Sequence, residues 1–145
     1  NSSLLIASKF GMNVTLLCPS ESYHLDKRYL DAANENCSNE SASFNISYDI
    51  AEAYTGKEIV YAKSWGSLEN YGDADEQSKQ NNQYKNFIVD EQKMGLTKSA
   101  VFSHCLPLRR NVKATDGVMD SDYCIAVAEA ANRKHVQKSI LSKIL

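Results

Sequence analysis

A chain of 145 residues with 43% apolar and 23% charged residues is long enough for one domain with a core and too short for two ordinary ones. Sixteen Lys and Arg against eighteen Asp and Glu leave a net charge of −2, which excludes a strong overall attraction to nucleic acid or anionic lipid. The apolar runs are far shorter than the roughly 20 residues of a membrane-spanning helix, so no transmembrane segment is expected.

From its first residue the chain runs at once into Leu4, Leu5, Ile6 and Ala7. It has no initiator Met, and neither the basic flank nor the small-residue cleavage site of a signal peptide. The expectation is a chain that lacks an N-terminal part. Beyond it, short β-branched runs alternate with helical stripes. The strand-like runs are Val14 to Cys18, Phe44 to Ser47, Ile59 to Ala62, Ala100 to Cys105 and Ile125 to Val127. Several are continuously apolar, the pattern of a parallel sheet covered on both faces.

Between these runs lie helices with readable ends. Asp26 is placed to cap a helix carrying Tyr29, Leu30 and Ala33, with Leu25 and Leu30 as a hydrophobic staple. Asp90 is placed to cap a short helix that stops at Gly95. Val136, Ile140, Leu141, Ile144 and Leu145 form one stripe of a last helix. From Ser64 to about Gln83 the chain is polar and reads as one long loop after a strand, a position that suits a substrate loop. The expected fold is α/β: a single domain over 1–145, three-layer αβα, with a mostly parallel central sheet of about four to five strands.

The cysteines Cys18, Cys37, Cys105 and Cys124 form no C-x-x-C pair, which argues against a structural zinc site. Cys18, Cys105 and Cys124 border apolar runs, where a thiol behaves as a small hydrophobe, so reduced thiols are expected rather than disulfides. Glycosylation sequons begin at Asn1, Asn13, Asn36, Asn39 and Asn45. Those at Asn13 and Asn45 fall in or beside strands, and the set is read as chance matches in an Asn- and Ser-rich chain.

The densest chemical signal is His104-Cys105-Leu106-Pro107-Leu108-Arg109-Arg110-Asn111-Val112-Lys113. It combines one thiol, one imidazole and three cations, with no acid, directly after a strand. Such a cluster suits a phosphate or carboxylate, and its bland counterpart is a solvated basic turn. A Cys–His nucleophilic pair is disfavoured because adjacent strand residues point to opposite faces.

His104-Cys105-Leu106-Pro107 resembles the H-C-L-P signature of the ornithine and acetylornithine carbamoyltransferases. The continuation from Leu108 through Arg109, Arg110, Asn111, Val112, Lys113, Ala114 and Thr115 to Asp116 is similar to the N-acetylornithine and N-succinylornithine branch. So are Val60-Tyr61-Ala62-Lys63-Ser64-Trp65-Gly66 and Glu129-Ala130-Ala131-Asn132-Arg133. The resemblance runs from about Asn1 to Leu145. It implies the second, Rossmann-like, amino-acid-binding domain of a two-domain enzyme, a domain that carries a backbone knot in this branch. The S-x-R-T-R and H-P-x-Q motifs of the first, carbamoyl-phosphate domain occur nowhere in these residues.

The family reaction is attack of a side-chain amine on the carbonyl of carbamoyl phosphate, with an oxyanion to stabilise. By resemblance, Cys105 and Arg133 are the catalytic residues. Cys105, Leu106 (through its carbonyl) and Arg133 would hold carbamoyl phosphate. Lys63 and Trp65 would hold acetylornithine, with Lys63 on its carboxylate. Lys113 aligns with a lysine that is carboxylated in the acetylornithine enzymes, and His104 is assigned a structural hydrogen-bonding role. Arg133 is expected at the N-terminal end of the last helix.

The resemblance further implies a cytoplasmic enzyme of arginine biosynthesis, trimeric when intact, with no cofactor, metal, nucleic acid or membrane partner. Its expected product is N-acetyl-L-citrulline, and without the first domain the chain is expected to be inactive. The last helix would normally pack on that domain, so its stripe should be exposed. Alternatives are an N-succinylornithine carbamoyltransferase, a non-catalytic binding module for an acylated amino acid, or a subunit completed by a separate first domain.

Overall fold

The structure, a computed structural model, describes residues 1–63 and 72–145. The described residues gather into two compact units, residues 1–53 with 72–84, and residues 54–63 with 85–145.

In the first unit, helix α1 (Ser2–Lys9) leads into strand β1 (Val14–Leu17), helix α2 (Lys27–Asn39) and strand β2 (Phe44–Ser47). The apolar run at Leu4 is therefore helical. Leu4 and Ser8, one turn apart, form its buried face. Gly11 turns the chain into β1 at φ +66°, a backbone state that side chains with a Cβ resist. β1 and β2 pair in parallel from Val14 opposite Phe44 to Leu17 opposite Ser47. The Asn13 side chain accepts the Ser43 N–H at 2.9 Å and aligns the two strand starts. α2 begins as expected, with the Asp26 carboxylate accepting the Arg28 N–H at 3.0 Å. Its small residues Ala33 and Cys37 are buried one turn apart, where they permit close approach. Asn36 donates to the Ser8 hydroxyl at 3.1 Å, tying α2 to α1.

The polar stretch expected as one long loop from Ser64 to about Gln83 contains a helix. Residues 64–71 lie outside the described part, but Ala74–Gln83 is helix α4, following the short helix α3 (Ile50–Tyr54). The physical reason is a cap: the Asp73 carboxylate accepts the N–H groups of Asp75 at 3.1 Å and Glu76 at 2.9 Å. Asp75 and Glu76 then place negative charge at the positive end of the helix dipole.

In the second unit, strand β3 (Ile59–Ala62) pairs in parallel with strand β4 (Val101–His104), Ile59 opposite Val101 through Ala62 opposite His104. Short helix α5 (Glu91–Met94) precedes β4. The Asp90 carboxylate accepts the Lys93 N–H at 2.8 Å, and the helix stops at Gly95 as predicted. Helix α6 (Asp116–Met119), capped by the Thr115 hydroxyl, and the long helix α7 (Ala126–Ile144) complete the unit.

Mixed α/β order with parallel strands matches the sequence reading, but the described strands pair as two two-stranded sheets rather than one of four to five. β4 is buried at Phe102, Ser103 and His104, whereas β3 alternates and exposes Ile59 and Tyr61. The strand expected at Ile125 to Val127 reduces to a parallel bridge. Phe102 donates to the Tyr123 carbonyl, and its own carbonyl accepts the Ile125 N–H, both at 2.8 Å. At Ala126 the helix takes over, because Ala, Glu and Ala-Ala are strong helix formers.

Candidate functional site at the ends of β3 and β4

Side chains two apart on a strand share a face. The register sets Tyr61 opposite Ser103. The next pair along that face, just past the strand ends, is Lys63 and Cys105. Their side chains meet: the Lys63 ammonium donates to the Cys105 sulfur at 3.0 Å. Two residues assigned by resemblance to different substrates therefore stand at one point.

His104, on the opposite parity, is almost fully buried. Its Nδ1 accepts the Leu106 N–H at 2.9 Å, which puts the imidazole proton on Nε2. Burial first, then the neighbouring Lys63 charge, hold this imidazole below its ordinary pKa. The ring is a neutral acceptor that shapes the turn, the structural role expected of it. The turn is sharp. Leu106, next to Cys105, adopts φ +47°, and the bond that follows it, to Pro107, is cis. A non-glycine residue in the left-handed region is the kind of backbone strain that concentrates where backbone groups are aimed at ligands.

The basic run is not a cluster of three available cations. Arg110 forks onto Asp116 at 2.9 Å and Asp120 at 2.6 Å, which hold it above its ordinary pKa and hold both carboxyls below theirs. Asn111 reinforces the same knuckle: its amide donates to Asp116 at 2.7 Å and its carbonyl accepts the Asp116 N–H at 3.0 Å. Lys113 is buried. Desolvation, with the Arg109 charge second, lowers its pKa to about 8. The segment is pinned beside Val89, which donates to the Lys113 carbonyl and accepts from the Thr115 N–H.

Arg133 is exposed and lies about two turns inside α7, not at its N-terminal end, because the helix begins at Ala126. Trp65 lies outside the described residues. Sequence reasoning missed Glu129, one turn before Arg133. Its carboxylate accepts hydrogen bonds from the Ser103 hydroxyl and, at 3.1 Å, from the Tyr61 hydroxyl. The clue was available in the period-two parity that puts Tyr61 and Ser103 in line with Lys63 and Cys105.

All four cysteines are free thiols, with Cys18 and Cys37 buried. Burial pushes the Cys18 thiol up to about 11, which makes it inert. Among the described residues, no group of three or more His, Cys, Asp and Glu could hold a metal ion, and no helix is long and apolar enough to cross a membrane.

The chain is similar to known proteins in sequence and fold. An N-acetylornithine carbamoyltransferase of Xanthomonas campestris pv. campestris is 55% identical over 145 residues, covering 100% of this chain and 43% of that protein. An ornithine carbamoyltransferase of Pyrococcus horikoshii is 33% identical over 145 residues, covering 99% of this chain and 44% of that protein. The crystal structure of an acetylornithine transcarbamylase complexed with acetylcitrulline superposes with a TM-score of 0.95 at 55% identity, over 99% of this chain and 43% of that one. The chain thus spans less than half the length of these relatives. The model of the aspartate/ornithine carbamoyltransferase Asp/Orn binding domain matches residues 1–144, and the chain belongs to that family.

Proposed function

We propose that this chain is the amino-acid-binding domain of a carbamoyltransferase acting on N-acetyl-L-ornithine, with N-acetyl-L-citrulline as product. The observation that carries the reading is the difference in identity between the two kinds of relative: 55% to the N-acetylornithine enzyme against 33% to the ornithine enzyme. The neutral side-chain amine attacks the carbamoyl carbon and forms a C–N bond. The C–O bond to phosphate then breaks, and the leaving phosphate accepts the amine's proton, so no protein base is required.

Cys105 lies against the carbamoyl group, and the turned Leu106 backbone offers its carbonyl to the carbamoyl nitrogen. Arg133 supplies a planar fork suited to an oxygen-rich ligand. Lys63 takes the substrate carboxylate. It exchanges its thiol partner for a charged acceptor, and charge-assisted bonds are the stronger kind. Trp65 completes the acylated amino-acid site. Lys113, whose pKa is lowered to about 8, loses one proton to become the neutral amine, which reacts with carbon dioxide and releases a second proton to give a carbamate, so that a buried cation becomes an anion.

The remaining carbamoyl-phosphate contacts come from a first domain with the S-x-R-T-R and H-P-x-Q motifs, and alone the chain does not turn over. The intact protein is read as a cytoplasmic homotrimer of arginine biosynthesis. A point variant of N-acetyl-L-ornithine transcarbamylase crystallised with carbamyl phosphate and N-succinyl-L-norvaline, so the same architecture accepts a succinyl group after one substitution. That observation keeps N-succinylornithine as the second substrate reading.

In the intact protein, Lys63→Ala should raise the KM for N-acetylornithine by about two orders of magnitude, as expected for loss of a charge-assisted contact. Its carbamoyl phosphate affinity should stay unchanged. An unchanged amino-acid KM would remove Lys63 from the substrate site.

A further inference from the structure

The Glu129 carboxylate is tied at once to both strands of the β3–β4 pair. It accepts from Tyr61 on β3 and from Ser103 on β4, two residues that are register partners. Ser103 is buried, so this carboxylate satisfies a hydroxyl that water does not reach. One strand pair further along the same face stand Lys63 and Cys105. One helical turn further along α7, at the i+4 position and on the same side of the helix, stands Arg133.

The segment entering α7 runs parallel to β4 at the Cys124–Phe102 bridge. The Glu129 clamp then ties the first turn of α7 to the Tyr61–Ser103 pair, one turn before Arg133.

We propose that Glu129 is a positioning residue for the carbamoyl-phosphate half of the site, acting through Arg133 by locking α7 onto the Tyr61–Ser103 pair. The inference rests on the reading that Arg133 and Cys105 touch carbamoyl phosphate. A carboxylate with two hydroxyl donors on separate strands resists sliding along either, whereas a single contact would let the helix slip relative to the strand ends. A guanidinium misplaced by an ångström loses its bidentate geometry, and oxygen-rich ligands discriminate strongly on that geometry.

The test is a double-mutant cycle in the intact protein, read as carbamoyl phosphate affinity by titration calorimetry. Glu129→Ala should weaken binding about tenfold, and Tyr61→Phe about threefold, within the range of coupling between neighbouring residues. In an Arg133→Ala background neither change should weaken binding further, and the KM for the amino-acid substrate should hold in the Glu129→Ala and Tyr61→Phe variants. A merely structural clamp would lower the thermal midpoint without this dependence on Arg133. Full additivity of Glu129→Ala with Arg133→Ala would overturn the proposal while leaving the reading of Arg133 intact. An Arg133→Ala variant that binds like the parent would instead overturn the reading of Arg133, and the proposal with it. Should Glu129→Ala fail to fold, the Tyr61→Phe cycle decides in the same way.

Discussion

Burial holds the Lys113 amine at a pKa of about 8 against 10.5 for the free side chain. Between those two values the unfolded chain carries a proton that the folded one has lost. Stability therefore rises as pH climbs from about 8 towards 10.5, by up to ~3 kcal/mol from this group. Urea unfolding in carbonate-free buffer should show that rise, and Lys113→Met should abolish it. A flat profile in the parent chain would contradict the burial argument. The same poise predicts a carbamate: a ¹³C resonance bound to protein should grow on adding labelled bicarbonate at pH 8 and be absent in Lys113→Arg.

His104 works in the opposite pH range. Its pKa is lowered, so the stability of the neutral ring is present above the ordinary value of 6.5 and is lost as pH falls below it. Nitrogen NMR should find the ring more than half neutral, with its proton on Nε2, at pH 6.5. A ring already half protonated at pH 6.5 would contradict the Leu106 N–H to Nδ1 bond that shapes the turn.

At the scale of elements, the caps carry measurable weight. Asp26→Ala should cost about 1 kcal/mol in urea unfolding, the usual value of an N-cap, while Asp26→Asn should cost much less. Equal losses would mean that charge, not the accepted Arg28 N–H, is what matters. The Asp26 and Asp90 caps are legible in the sequence because capping is local, and so are α2, α5 and all four strands, apart from single terminal residues; the Asp73 and Thr115 caps are not. The first helix was not, since Leu4, Leu5, Ile6 and Ala7 are apolar without a period and its stripe rests on Leu4 and Ser8. The Ile125–Val127 run was misread for a related reason. A short apolar run takes its state from its C-terminal neighbours, and here Glu129-Ala130-Ala131 favours helix. The basic run shows the limit for the site. Its charges could be counted, but Asp116 and Asp120 neutralise Arg110 only through a fold that brings them back. The Lys63–Cys105 meeting depended on strand register, which no composition encodes, and only the family resemblance pointed to it.

At the scale of the whole molecule, α7 ends in a row of exposed apolar side chains. Val136, Ile140 and Leu141 are each more than half exposed, and Ile144 is 73% exposed. The sequence stripe was therefore correctly placed and lacks cover from the described residues of this chain. Such a row favours association through apolar contact. Sedimentation should find concentration-dependent self-association of the isolated chain, relieved by Ile140→Glu with Ile144→Glu. A strictly monomeric parent chain at high concentration would contradict it.

The proposed function makes the domain selective for an acylated ornithine once the first half of the site is supplied. The direct measurement is carbamoyl transfer from carbamoyl phosphate to N-acetylornithine, N-succinylornithine and ornithine, by the folded chain alone and after addition of a first domain carrying S-x-R-T-R and H-P-x-Q. The expected result is no turnover alone and, with the first domain, turnover of N-acetylornithine in clear preference to ornithine. Turnover by the chain alone, or a preference for free ornithine in the completed site, would contradict it.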